Sequence, residues 1–422
     1  MREKHYDVAV IGAGAAGMSA AAVTAGNGLK TAVIDREEFA GGILLQCIHN
    51  GFGLHHFHEE LTGPEYAARV IRQGVEAGAE LMLNTTVSEV ANLDDGRKRL
   101  LCLSRDLGVF YLYTRSVVLA MGCRERNRGN LGIPGMRPAG VFTAGLAQRL
   151  LNIDGYLPGN EAVIIGSGDI GLIMARRLSW VGIKVKAVVE IMPYPSGLTR
   201  NIVQCLEDFG IPLYLSHSVT RINGHDRVES VDVAPLADGI PDPERAFRID
   251  CDTILLSVGL MPENELSKKA GVELNHATGG PYVDARQMTN VEGVFACGNV
   301  LHVHDLVDYV SGEAAMAGRQ VVEYLHGRQE EKTQNQASAG ANLRYVVPNR
   351  FIPGRDAHFY MRSMVVEEKA VLDIRLDGEI ILSRPLRYVK PAEMLSIDLP
   401  AKATAQAAPG QSLTFSLNAR EV

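Results

Sequence analysis

The sequence predicts an α/β protein with two Rossmann-like βαβ units in separate domains, followed by a small C-terminal β domain. Two segments carry the first part of this expectation. Asp7–Asp35 and Glu161–Glu190 share one grammar: apolar strand, glycine-rich turn, helix, second apolar strand ending in an acid. A repeat of this kind, about 155 residues apart, marks a pair of mononucleotide-binding units. The third observation lies at the other end. From Leu343 to Leu399 apolar and polar residues alternate between Gly and Pro turns, as in Ala370–Ile374, Gly378–Leu382 and Arg387–Val389, the pattern of a small sandwich.

Between the two units, short strands are expected at Ala79–Leu83, Val87–Val90, Leu100–Leu103, Val109–Tyr113 and Ser116–Ala120, and residues 213–258 repeat the pattern. Helical spacing of apolar residues covers Gly312–Leu325. Gly327–Ala341 is polar, poor in aromatics and reads as a linker.

Composition narrows the class. The chain has 422 residues, 46% hydrophobic and 22% charged, with a formal net charge of -7 and both signs interspersed. Length allows two or three cores, and the charge pattern offers no nucleic-acid footprint. Charged residues lead straight into the first strand and the Ala/Gly-rich stretch after it lacks bulky side chains. We therefore expect no signal peptide, no membrane span and a cytoplasmic location. The six cysteines (Cys47, Cys102, Cys123, Cys205, Cys251, Cys297) are scattered, with no C-x-x-C pair. That spacing argues against a disulfide framework and a zinc site, and it removes a dithiol relay.

The first glycine turn is Gly12, Gly14 and Gly17 in G-x-G-x-x-G spacing after the strand Val8–Ile11. Gly12 permits a tight turn, Gly14 lets backbone approach a pyrophosphate, and Gly17 lets the helix pack on the strand. Phosphates then sit at the positive end of the helix beginning near Ala15 and Ala16. Asp35 follows about two dozen residues after Gly12, where a carboxylate accepts ribose hydroxyls. The second turn is Gly166, Gly168, Asp169, Ile170 and Gly171, with Glu190 ending the next strand. An acid there favours a 2'-hydroxyl and repels a 2'-phosphate, so NAD(H) is expected in preference to its phosphorylated form. Arg200 lies further on.

These motifs together resemble the pyridine nucleotide-disulfide oxidoreductase superfamily. Leu119-Ala120-Met121-Gly122 resembles the strand-turn that closes the first flavin segment, and Gly132-Ile133-Pro134-Gly135 the loop into the second fold. Ser257-Val258-Gly259 with Pro262 and Asn264 resembles the exit turn. Gly293-Val294-Phe295-Ala296-Cys297-Gly298-Asn299 resembles the strand that offers a polar side chain to the ribityl chain. The resemblance implies FAD and NAD(H) as cofactors and an NAD domain inserted in the FAD domain. The expected boundaries are 1–125 and 261–326 for FAD, 126–260 for NAD, 327–342 for the linker and 343–422 for the β domain. It also implies cofactor contacts from Arg36, Gly41, Gly42, Ile43 and Val87. The family usually has Asp where this chain has Asn299; Asn still hydrogen-bonds a hydroxyl but brings no charge, and Asp305 is a neighbouring acid.

A narrower resemblance is to the NAD- and FAD-dependent dehydrogenases that accompany anaerobic-type glycerol-3-phosphate dehydrogenase, related to components of opine and cyanide-forming dehydrogenases. Residues 41–54 and Met192–Gly197 carry it. It implies a small-molecule substrate, with a second flavoprotein dehydrogenase and a small cysteine-rich protein as partners, and it leaves the oligomeric state open. Cys47 and His49 are the candidate catalytic pair, since related enzymes hold redox cysteines in this region. A lone thiol forms a sulfenic acid in some NADH oxidases and peroxidases, with His49 lowering its pKa or acting as an acid. The alternatives are therefore a stand-alone NADH oxidase or peroxidase using Cys47, and a flavin-bearing assembly or sensor protein. No metal site is expected: His55, His56 and His58 cluster in sequence but on different faces. His302 and His304 are expected either to line the substrate side of the flavin or to bond backbone near a helix start.

Overall fold

The computed structural model describes residues 2–327 and 334–419. The chain divides into two compact units, residues 124–261 on the one hand and residues 1–123 with 262–422 on the other.

In the larger unit, a seven-stranded sheet is built on the strand Arg2–Ile11. Its apolar half, Val8–Ile11, pairs in parallel with Thr31–Ile34 on one side and with Ser116–Leu119 on the other. Val8, Val10 and Val33 face one core, Ala9, Ile11 and Ile34 the opposite one, as period-two alternation requires when both faces are covered. The helix Ala15–Gly26 crosses the sheet and packs on the helix Val307–Leu325. Gly318 permits the approach, because a Cβ there would stand 2.9 Å from Ala20 O and Val23 Cβ. The short strand Val294–Ala296 returns to the same sheet beside Val117–Leu119.

The strands read separately as Val109–Tyr113 and Ser116–Ala120 form one strand, Gly108–Leu119. Thr114 makes the continuity possible: its hydroxyl is buried and satisfied by Asp7 O and Ser116 O. A helix at Gly63–Glu76 adds to the unit; Thr62 and Glu65 form a reciprocal capping box with Pro64 in the first turn.

The C-terminal segment contributes a five-stranded and a three-stranded sheet. Both sheets supply one core, with Phe351, Leu372 and Phe415 from the first and Phe359, Met361 and Ile397 from the second. Two expectations change here. Part of the linker, residues 328–333, lies outside the described residues, but Asn335–Ala339 is a strand, paired in parallel with Leu413–Phe415. Its polar composition misled because only alternate side chains, Asn335 and Ala337, are buried. Arg387–Val389 makes a single bridge to Glu367 rather than a strand; the hairpin is Ala370–Leu376 with Glu379–Leu386, turning at Asp377 and Gly378, both at positive φ.

In the smaller unit, a five-stranded parallel sheet is centred on Glu161–Ile165 and Thr253–Leu256. An antiparallel sheet of His217–Asn223, Ser230–Ala237 and Phe247–Asp250 packs beside it.

Candidate functional site: two glycine-started helices

Gly12 has φ +110°, and a Cβ there would overlap Ala120 O. Gly17 faces Gly12 O with no room for a side chain, so strand, turn and helix are pressed together. Gly14 differs. It caps the helix Ala15–Gly26 in an extended conformation, with no side-chain cap and no acid in the first turn. A Cβ on Gly14 would meet nothing within 4 Å. Open space before uncapped helical N–H groups suits a phosphate. Asp35 Oδ2 accepts the Ala13 N–H at 2.6 Å and Oδ1 accepts that of Glu37 at 2.9 Å, which fixes the carboxylate beside the turn; Arg36 is exposed next to it. Gly41 N–H reaches Ala13 O at 2.8 Å, and a Cβ on Gly42, at φ +58°, would lie 3.2 Å from Gly14 Cα. Ile43 stands exposed at the start of the short helical turn Gly42–Gln46. These residues fit the pyrophosphate end of FAD.

The turn at Ala120, Met121 and Gly122 abuts this site through Ala120 N–H to Ile11 O at 2.9 Å. Asn299 follows Gly298, which sits at φ +73°. Its Oδ1 accepts the His304 N–H at 3.0 Å and its Nδ2 donates to Cys123 Sγ at 3.6 Å. Asp305 is not available to the ribityl position. Its carboxylate binds Arg362 at 2.8 Å and the Met394 N–H at 2.5 Å, both from the C-terminal sheets. Val87 lies on the strand Thr85–Asn92, opposite Cys102.

Cys47 donates to Ile43 O at 3.3 Å, and burial pushes its thiol up to about 12. His49 Nδ1 lies 2.9 Å from Asn50 O and its ring packs on Phe52. Burial raises the thiol, which works against a thiolate at neutral pH. Of the His55–His58 cluster, His55 stacks on Tyr309 and His56 packs against Phe57 and Tyr66. His302 and His304 depart from both expectations: they are buried and paired with Glu313. Sequence reading did not find Glu313 or Asp308. Asp308 accepts the Gly53 and His55 N–H groups at 3.1 Å, a contact across 255 residues that no local spacing announces.

The second turn repeats the first. Gly166, at φ +88°, allows no Cβ against Ser257 O. Gly168 caps the helix Asp169–Trp180 without a side-chain bond, and the Gly171 N–H donates to Ser257 Oγ at 3.0 Å. Glu190 is 3% exposed. Its Oε2 accepts from Ser167 N at 2.9 Å, Ser167 Oγ at 2.5 Å and Ser196 Oγ at 2.9 Å; Oε1 accepts the Met192 N–H at 3.0 Å. The carboxylate thus ties the phosphate turn to residues 192–196. Asp169 extends the tie, accepting from Leu198 N at 2.8 Å and Asn201 Nδ2 at 2.6 Å. Ile170 lies in the first turn of the same helix, and Gly259, at φ +96°, ends the strand-turn after Ser257.

Comparison with known proteins agrees with this geometry. The HcnB component of hydrogen cyanide synthase from Pseudomonas protegens is 26% identical over 73% of this chain and 67% of its own. An opine oxidase subunit from Agrobacterium tumefaciens is 27% identical over 90% of this chain and 78% of its own. Among solved structures, thioredoxin reductase from T. acidophilum superposes with a TM-score of 0.64 at 25% identity, covering 77% of this chain and all of that one. The family model for pyridine nucleotide-disulphide oxidoreductases matches residues 6–321. With two glycine-started helices inside that span, the chain belongs to the pyridine nucleotide-disulphide oxidoreductase family and is an FAD-dependent NAD(P)H oxidoreductase.

Proposed function

We propose that the chain exchanges hydride between NADH and enzyme-bound FAD as the pyridine-nucleotide component of a multisubunit dehydrogenase. FAD, when bound, supplies the redox chemistry, its ring system accepting or returning the hydride. The chain's own residues bind and orient. The N–H groups opening Ala15–Gly26 hold one pyrophosphate and those opening Asp169–Trp180 the other. Asp35 accepts ribose hydroxyls, and Asn299 offers Nδ2 to the ribityl chain while His304 fixes its other end. Glu190 keeps a negative charge at the adenosine ribose, which disfavours a 2'-phosphate and makes NADH the preferred donor.

One observation carries this reading over the alternatives. No two cysteines of the chain have dithiol spacing, and burial pushes the Cys47 thiol up to about 12. Electrons leaving the flavin therefore have no thiol relay in this chain and pass to an external acceptor. HcnB and the opine oxidase relative are both subunits by name, which supports a partner as that acceptor or donor. We propose a second flavoprotein and a small cysteine-rich protein in that role, with glycerol 3-phosphate as the substrate class; this finer part rests on residues 41–54 and 192–197 alone. The test is turnover of purified protein with NADH, offering an artificial quinone or oxygen. Brisk quinone reduction with slow oxygen uptake is expected. Rapid oxygen or peroxide reduction abolished by Cys47→Ser would replace this reading with the oxidase one.

A further inference from the structure

The helix Val307–Leu325 turns Glu313 into the interior. Glu313 Oε1 lies 2.8 Å from His302 Nε2, and Oε2 lies 3.1 Å from His304 Nε2 and accepts the Gly298 N–H at 2.6 Å. None of the three side chains has any exposed surface, and one donor atom from each lies within 4.8 Å of the others. The surroundings are aromatic. Tyr345 packs 5.8 Å from the His302 ring, and Tyr360 packs 5.3 Å from His302 and 5.2 Å from His304. Arg362, a nearby cation, is committed to Asp305, Val303 O and Pro391 O.

A carboxylate so buried needs positive charge beside it. The imidazoles supply it poorly as protonated rings. The two rings are 4.2 Å apart, too close for both to carry positive charge without repulsion. A divalent cation removes the charge conflict, taking both Nε2 lone pairs and the carboxylate at once. Metal–nitrogen and metal–oxygen bonds of about 2.0–2.2 Å set neighbouring donors roughly 2.8–3.5 Å apart at ligand angles near 90–105°. The observed separations of 2.8 and 3.1 Å fall in that interval.

We infer that His302, His304 and Glu313 form a structural binding site for a divalent transition-metal ion of the zinc or ferrous class. Two imidazoles and a carboxylate are the donor set such ions prefer. Full burial removes any exposed coordination position, so the ion's role is to hold chain to chain. It fastens the loop His302-Val303-His304 to the helix Val307–Leu325. Through Gly298 N–H and Asn299 Oδ1 it stiffens the turn after Ala296, and through Tyr345 and Tyr360 it seats the C-terminal sheets.

The test is elemental analysis of flavin-loaded full-length protein expressed with zinc and iron in the medium. Wild-type protein is expected to carry one equivalent of metal per chain. His304→Gln should lose it. Chelator-stripped wild type should melt lower, recover with Zn²⁺, and give ligand-field bands with Co²⁺ that lack sulfur charge transfer. This last arm needs no variant to fold. Metal-free protein whose stripped form shows neither Co²⁺ bands nor stabilisation by Zn²⁺ would overturn the inference and leave a proton-sharing cluster. So would a His304→Gln variant that retains the metal.

Discussion

Gly14 and Gly17 separate two uses of glycine in one turn, and substituting each by alanine tests the first site. Gly14 has φ -75° and ψ -172°, which alanine adopts without strain, and its added Cβ meets no protein atom within 4 Å. Folding should therefore be unharmed, or gain about 0.4–1 kcal/mol from the less flexible unfolded chain. The methyl instead occupies the approach to the uncapped N–H groups. Losing one charge-assisted hydrogen bond there costs about 1.5–3 kcal/mol, a ten- to hundredfold rise in the FAD dissociation constant, on the order of RT arithmetic. At Gly17 the Cβ overlaps Gly12 O and lies 3.3 Å from Val10 Cγ1. The helix must shift, costing about 1–3 kcal/mol or more of folding free energy. The assay pairs thermal melting of deflavinated protein with titration by FAD fluorescence. The expected pattern is Gly14→Ala stable but weak for FAD, and Gly17→Ala deficient in both. Gly14→Ala protein that binds FAD within twofold of wild type, or that melts as low as Gly17→Ala, would refute the phosphate role.

Cys47→Ser should leave the anaerobic rate of flavin reduction by NADH unchanged between pH 7 and 9, about the working range of such enzymes, because the thiol titrates only near 12; stopped-flow traces that slow in the variant would return Cys47 to the mechanism. Glu190→Gln keeps most of the hydrogen bonds to Ser167 and Ser196 while removing the charge, so the kcat/KM ratio of NADH to NADPH should fall about tenfold; an unchanged ratio removes Glu190 from cofactor choice. Ser196→Ala deletes the 2.9 Å bond to the buried Glu190 and should destabilise the smaller unit by about 1–2 kcal/mol, read as a lower denaturant midpoint. Asp252 accepts from Asn160 N and Glu161 N at 3.0 Å, and although burial opposes them, these bonds hold its carboxyl below the usual range. A depressed folded pKa gives stability that is present above the unfolded value and lost as pH falls through the folded one. Asp252→Asn should therefore cost about 1 kcal/mol at pH 7, after discounting for solvent, with the gap to wild type closing below about pH 4; a gap that persists in acid would locate the effect elsewhere.

Local chemistry made the two phosphate turns legible. Gly17 is demanded by Gly12 O and Val10 Cγ1, a few residues away, Gly12 and Gly14 keep a fixed spacing from it, and Asp35 and Glu190 follow strands at a fixed distance. The helix Gly63–Glu76 went unread, although Thr62-Gly63-Pro64-Glu65 carries a capping signal outside the glycine motifs. What stayed hidden depends on contacts distant in sequence. The helix Val307–Leu325 begins five residues before the apolar spacing starts, because Asp308 is drawn inward by Gly53 and His55. His302 and His304 carry no periodicity that points to Glu313, since the three meet only once the loop folds onto the helix. Glu190 was placed correctly as a strand end, yet nothing in its spacing revealed that Ser167 and Ser196 saturate its inner oxygen.

We propose hydride exchange between NADH and bound FAD, and anaerobic titration of the purified, FAD-reconstituted protein with NADH tests this most directly. The flavin's long-wavelength absorption should bleach with one equivalent of NADH, and more readily than with NADPH. Protein that stays colourless after reconstitution, or a flavin band that excess NADH leaves untouched, would contradict it.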